Sequence, residues 1–133
     1  MSLPSLACAV VAMGALLAGC ADGANSPMAK GPATARPTAI GTVLTDSKGM
    51  TLYTLKSDEN GQSSCYDRCA TSWPPLWAEP GDRPAGNFSI TMRKDGTRQW
   101  AYNGKPLYLW QRDKRPGDVT GHDYGDVWYV ARP

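Results

Sequence analysis

The sequence predicts a small all-β domain: a closed or sandwiched antiparallel sheet made of two pseudo-repeats, with one short helix around a cysteine pair. Three observations predict it. Glycine and proline number 14 and 11 among 133 residues, a density of turn residues that disfavours helical bundles and coiled coils. Short β-prone runs alternate with turn signals through residues 39–133. A shift of 55 residues, without a gap, lays Gly49, Leu52, Tyr53, Asp58 and Trp73 on Gly104, Leu107, Tyr108, Asp113 and Trp128. A lone hairpin is marginal in water, so the two copies must share a core about an approximate two-fold.

No charged side chain occurs from Met1 to Gly19, and Leu, Ala, Val and Gly dominate. At about 17 residues the apolar run is short of the ~20 that a spanning helix needs, so residues 1–19 read as a removable export signal. It closes on Leu17-Ala18-Gly19-Cys20. Small residues before a cysteine resemble the lipobox of bacterial lipoproteins. That resemblance implies cleavage before Cys20 and acylation of its thiol with chains such as palmitate. Two or three acyl chains hold a protein on a bilayer where one binds reversibly. Ala21, not aspartate, follows the cysteine, which implies the outer membrane in a cell that has one. Residues 20–38 are the lipidated cysteine and a tether poor in aliphatics, expected to be disordered with a reach of ~23 Å.

Within 39–133, Thr42–Thr45 and Met50–Leu55 flank the turn Asp46-Ser47-Lys48-Gly49. Ser64–Thr71 suggests the one helix, with Ser64 and Asp67 as a weak capping box. Phe88–Met92, the turn Lys94-Asp95-Gly96 and Arg98–Tyr102 form a second hairpin. Asn103-Gly104 suits a type I′ turn into Pro106–Trp110, and Val127–Val130 ends the sheet. Pro106 must sit at a strand start or an edge. The repeat units are therefore about 41–77 and 88–131. Tyr53 and Tyr108 should occupy matching places, with Leu52 and Leu107 on the opposite face. Trp73 and Trp128 should be equivalent and buried.

Cys65 and Cys69 are the only cysteines after Cys20; Cys8 falls in the signal. An even pair in an oxidising compartment is by default a disulfide. Held four apart in a helix, their Cβ atoms would be too distant, so the turn must tighten or the bond be strained. The alternative is thiol redox or copper handling, with His122 as a third ligand to Cu(I). Asp58 and Asp113 stand at equivalent positions and could act as a proton-sharing hydrolytic pair. The plainer reading has them capping turn amides or pairing with Arg112 or Arg115. Asp118, Asp123 and Asp126 lack the spacing of a calcium loop and read as solvated turn residues. Trp73, Trp77, Trp100, Trp110 and Trp128 are expected to fill the core; alternatively Trp77, beside Trp73-Pro74-Pro75-Leu76, offers with Tyr66 and Trp110 a binding surface for a partner or a sugar ring. A formal charge of +2 selects no nucleic acid. A single histidine excludes His-rich sites, and no nucleophile elbow, phosphate loop or HExxH occurs.

Tyr108-x-Trp110-x-x-Asp113, and Tyr53-x-Leu55-x-x-Asp58 with leucine in the aromatic place, resemble the bacterial secreted-repeat lipoproteins with a Y-x-[FWY]-x-x-D motif. So do Cys65-x-x-x-Cys69, Trp73-Pro74-Pro75-Leu76, Asp95-Gly96-Thr97 and Gly104-Lys105-Pro106-Leu107-Tyr108. The resemblance covers 41–131 and implies an exported, envelope-associated domain; it brings no activity with it. The expectation is a monomeric, lipid-anchored, non-catalytic binding or structural module without a cofactor. Its partners would be the bilayer, through Cys20, and an envelope protein or glycan.

Overall fold

The computed structural model describes residues 31–133. The expected export signal, Cys20 and the expected tether as far as Lys30 lie outside the described residues. Among those described, seven short strands and one five-residue helix form three small antiparallel sheets, with no closed barrel.

The first strand corrects the tether boundary. Thr34–Thr38 (β1) pairs with Gly41–Thr45 (β2) from Thr34↔Thr45 to Thr38↔Gly41. Its end is capped by the Thr38 hydroxyl, which donates to the Gly41 carbonyl at 2.6 Å. Pro37, a reason to read this stretch as tether, is tolerated because β1 pairs on one side only. The folded unit therefore starts before residue 39.

Tyr53–Leu55 (β3) pairs with Trp128–Val130 (β7). Phe88–Met92 (β4), Arg98–Tyr102 (β5) and Lys105–Pro106 (β6) form the third sheet. Asn103 and Gly104 turn between β5 and β6 at φ 50° and 81°, as a type I′ turn requires, and Pro106 opens its strand.

The helix is shorter than the sequence suggests. Helix α1 is Arg68–Ser72, because Asp67 just before it stands at φ 51°, ψ −121°. That sharp bend brings the Cα atoms of Cys65 and Cys69 to 5.2 Å and closes a disulfide. The turn tightens, and Cys65 stays outside the helix. No capping box forms: the Ser64 amide donates instead to Asp58.

Backbone pairing makes the two-fold explicit. Tyr53 and Tyr108 exchange amide hydrogen bonds of 2.8 and 2.9 Å. Leu44 donates to Ala131, Ala131 to Leu52 and Leu52 to Leu44; Trp100 donates to Leu76, Leu76 to Leu107 and Leu107 to Trp100. Each repeat thus keeps its hairpin and lends its last segment to the other copy. Consecutive residues split between two cores, as period-two alternation demands. Val43, Tyr53, Tyr108 and Val130 face one core; Leu44, Leu52, Leu107 and Ala131 face the other. The central strands are buried on both sides, which suits their near-continuous apolar runs.

Candidate functional site

The tyrosine and aspartate of each motif do not bond each other; they reach across to the other copy. The Tyr53 hydroxyl donates to Asp113 Oδ2 at 2.7 Å, and the Tyr108 hydroxyl donates to Asp58 Oδ2. The second oxygen of each carboxylate caps a loop of its own repeat. Asp58 Oδ1 accepts from the Ser64 amide and hydroxyl at 2.9 and 2.7 Å. Asp113 Oδ1 accepts from the Thr120 amide and hydroxyl at 3.0 and 2.6 Å. All four side chains are buried. Burial first, and then the hydrogen bond to Asp113 or Asp58, push both phenols well above the ordinary tyrosine range. Each phenol therefore stays a neutral donor and each carboxylate an acceptor. Neither aspartate pairs with Arg112 or Arg115 through these bonds, and the capping half of the plainer reading is what the geometry provides.

Aromatic rings fill the core beneath this clasp. Trp73 lies between Trp110 and Trp128, stacked on each with centroids 3.9 Å apart. Tyr53 meets Trp73 edge-on at 5.3 Å and Tyr108 meets Trp128 edge-on at 5.0 Å, one contact per repeat. Trp73 and Trp128 are equivalent and buried, as the repeat requires. Trp110 is buried too, at 6% exposure, so it belongs to the core and not to a binding surface. Its motif position points inward, because the residue two along from Tyr108 shares that strand face.

The repeats differ where the disulfide sits. Ser64 and Thr120 play the same part toward their aspartates, so the residues that follow, Cys65 and Gly121, correspond. A Cβ on Gly121 would lie 2.7 Å from Trp73 and 3.0 Å from Trp110. The second copy therefore pairs a large Trp110 with a bare Gly121. The first pairs the smaller Leu55 with Cys65–Cys69, and Leu55, Cys65 and Cys69 all pack in the same core. With both sulfurs in the bond, neither is a thiolate ligand. His122 accepts the Val130 amide at Nδ1, 3.1 Å away. Among the described residues, no three His, Cys, Asp or Glu side chains gather as a metal set.

The residue that sequence reasoning missed is Arg93. It directly precedes the turn Lys94-Asp95-Gly96, yet it is 2% exposed. Its Nη1 donates to Ser63 Oγ at 2.9 Å and Gln99 Oε1 at 2.8 Å, and its Nη2 to the Cys65 carbonyl at 2.6 Å. The Ser63 hydroxyl, 2.6 Å from the Tyr108 oxygen, must donate there, since the Tyr108 proton is committed to Asp58. Arg93 and Asp58 are thereby linked through two hydroxyls. Arg93 Nε is buried and has no hydrogen-bond partner. In compensation the guanidinium lies 4.3 Å from the Tyr66 ring centroid and 5.5 Å from that of Trp77. Alternation along β4 gave the only available signal: Arg93 follows Ser89 and Thr91 on the face opposite Phe88 and Ile90.

Tyr66 and Trp77 are thus brought together over Arg93, and Trp77 remains 46% exposed. Its backbone is fixed by a bridge to Gln99. Asp118 caps its own turn, accepting the Lys114 and Arg115 amides at 2.8 and 3.0 Å, and those bonds hold its carboxyl below the usual range. Asp123 and Asp126 take positive φ in the neighbouring turns, as solvated turn residues do.

Neither the search of curated proteins nor that of solved structures finds a match. A family model described as a secreted repeat of unknown function matches twice, over residues 34–77 and 89–132. Both ends of the second match lie 55 residues beyond those of the first, the spacing read from the sequence, and the first begins at β1. The chain belongs to this family of secreted repeats.

Proposed function

We propose that this exported protein is a lipid-anchored, non-catalytic recognition module of the cell envelope, held to the membrane by acylated Cys20. The observation that carries the reading is the fate of the motif residues. Tyr53, Tyr108, Asp58 and Asp113, the groups best placed for acid–base work, are spent on joining the two copies. What stays on the surface is Trp77, an exposed indole with the Arg93 guanidinium 5.5 Å from its ring. A large exposed aromatic with only two side-chain torsions supplies contact area at low entropic cost, the property of binding hot spots.

The test has two arms on the full-length protein in its native cells. Fatty-acid labelling should tag the wild type and not Cys20→Ser, and a labelled Cys20→Ser would end the lipid-anchor reading. Cross-linking in the envelope should give a defined adduct that Trp77→Ala loses, although the variant still folds with the circular dichroism spectrum of wild type. An unchanged adduct would remove Trp77 from the recognition surface.

A further inference from the structure

The disulfide encloses a strained residue that neither the clasp nor the aromatic core uses. Asp67 lies inside the five-residue ring closed by Cys65 and Cys69. It stands at φ 51°, ψ −121°, the geometry of the first central residue in a type II′ turn. The Cys69 amide closes that turn on the Tyr66 carbonyl at 3.0 Å. Glycine is the ordinary occupant of such a place, because a Cβ there crowds the backbone. The Asp67 side chain makes no capping hydrogen bond in compensation. Strain of this kind persists only where the surroundings enforce it, and it gathers at switch regions. Here the cross-link enforces it.

A second cost lies under the same ring. Tyr66, also inside it, covers the Arg93 guanidinium at 4.3 Å, and its hydroxyl accepts the Lys94 amide at 2.8 Å. Tyr66 thereby helps to seal Arg93 Nε, which is buried without a hydrogen-bond partner. A donor left in that condition gains a bond as soon as water reaches it. Opening the ring therefore relaxes Asp67 and satisfies Arg93 together. The fold does not need the cross-link. The second repeat caps its aspartate through Thr120, with Gly121 and no cysteine following. Helix α1 holds no fully buried residue, so its release unseats little packing.

We infer that Cys65–Cys69 is a thiol-exchange site that opens to a protein dithiol, with Cys69 as the sulfur attacked. Cys65 is fully buried, whereas Cys69 is only half-buried. The attacking thiolate bonds to Cys69 Sγ as the Cys65–Cys69 bond breaks, and the electron pair leaves on Cys65 Sγ, which takes up a proton. The second thiol of the reductant then displaces Cys69. Two electrons and two protons pass to the cysteine pair, and the dithiol becomes a disulfide. Asp67 and Tyr66 relax, and water reaches Arg93. This chemistry is independent of whatever Trp77 recognises.

The experiment equilibrates the full-length protein in detergent micelles with graded mixtures of reduced and oxidised glutathione. Alkylation and peptide mass then count the thiols of Cys65 and Cys69. Asp67→Gly should lower the equilibrium constant for reduction at least threefold, since glycine removes the strain from the closed ring. Asp67→Ala keeps a Cβ and drops the charge, and should stay within twofold of wild type. A thioredoxin whose resolving cysteine is serine should be trapped as a mixed disulfide, mapped to Cys69. In nuclear magnetic resonance spectra of the reduced protein, the Arg93 Nε proton should exchange with water at least tenfold faster. The Tyr108 amide, bonded to Tyr53, should keep its protection. An unshifted equilibrium in Asp67→Gly, an equal shift in Asp67→Ala, or an adduct on Cys65 or on neither sulfur would each overturn the assignment. So would an Arg93 proton still sealed after reduction, or loss of the Tyr108 protection.

Discussion

Tyr53 of the first repeat donates its phenol proton to Asp113 of the second, 60 residues away in sequence and 2.7 Å away in space. Tyr108 returns the bond to Asp58. The motif that looks local is therefore a crossed clasp. Removing one partner leaves a buried carboxylate short of a donor, at a cost of about 2–3 kcal/mol for a bond to a charged group. Tyr53→Phe also strands the Gly121 amide, which donates to the same hydroxyl at 3.1 Å. For a domain of this size the midpoint should fall on the order of 10 °C. A double-mutant cycle checks the crossing: Tyr53→Phe should couple by more than about 1 kcal/mol to Asp113→Asn and add simply with Asp58→Asn. Coupling within one motif would disprove the crossed arrangement.

The raised phenols fix the sign of an alkaline dependence. In the unfolded chain both tyrosines lose their protons near the ordinary value of about 10, while in the fold they keep them. Above that pH the native state holds more protons than the unfolded state, so stability falls as pH rises. Below it, their contribution is fully present. Urea midpoints should stay level on this account from pH 8 to 9.5 and decline beyond pH 10. Tyr53→Phe with Tyr108→Phe should flatten the decline while lowering the plateau. An equally steep fall in the double variant would show that other groups cause it.

The disulfide closes a very short loop, so its stabilisation should be modest. Chain-entropy reasoning gives roughly 2 kcal/mol for a five-residue loop. Cys65 is fully buried and Cys69 packs on the same core. Replacing both with serine therefore adds the cost of placing hydroxyls in an apolar setting. Cys65→Ala/Cys69→Ala should lose about 2–3 kcal/mol in chemical denaturation and the serine pair more. Equal losses would show that the bond, not the packing, sets the effect.

How far the sequence reveals this molecule follows from which forces act locally. Asn103-Gly104 announces its turn through backbone sterics alone, and the 55-residue echo announces the pseudo-symmetry. The exchange of last segments does not show, because Leu76 and Ala131 look the same whichever copy they pair with. Thr34–Thr38 is missed because Pro37 and its polar neighbours resemble a tether, and only pairing with β2 makes them a strand. Trp110 suits either the core or a binding surface by sequence, and the stack on Trp73 decides for the core. Arg93 is the sharpest case. A lone arginine beside Lys94-Asp95-Gly96 carries every mark of a solvated turn, and its burial depends on Ser63, Gln99 and two rings distant in sequence. The opposite faces of Leu52 and Tyr53, by contrast, follow from alternation and are found as expected.

The last prediction concerns how the two unequal halves fill one core. Trp110 with Gly121 in the second copy stands where Leu55 with the disulfide stands in the first, and the pairs should be interdependent. Gly121→Ala places a methyl against Trp73 and Trp110 at distances that force movement, an overpacking cost of about 1–3 kcal/mol. Trp110→Leu copies the first repeat's residue but leaves a void beside Trp73, a loss of about 2–4 kcal/mol by large-to-small reasoning. Together they should cost less than their sum by at least 1 kcal/mol, because the void gives Trp73 room to yield to the new methyl. Trp128→Ala removes the other ring from the stack and should cost about 3–5 kcal/mol. Denaturant titration of the four variants settles the matter. Simple additivity of Gly121→Ala and Trp110→Leu would show that the halves fill their shares of the core independently.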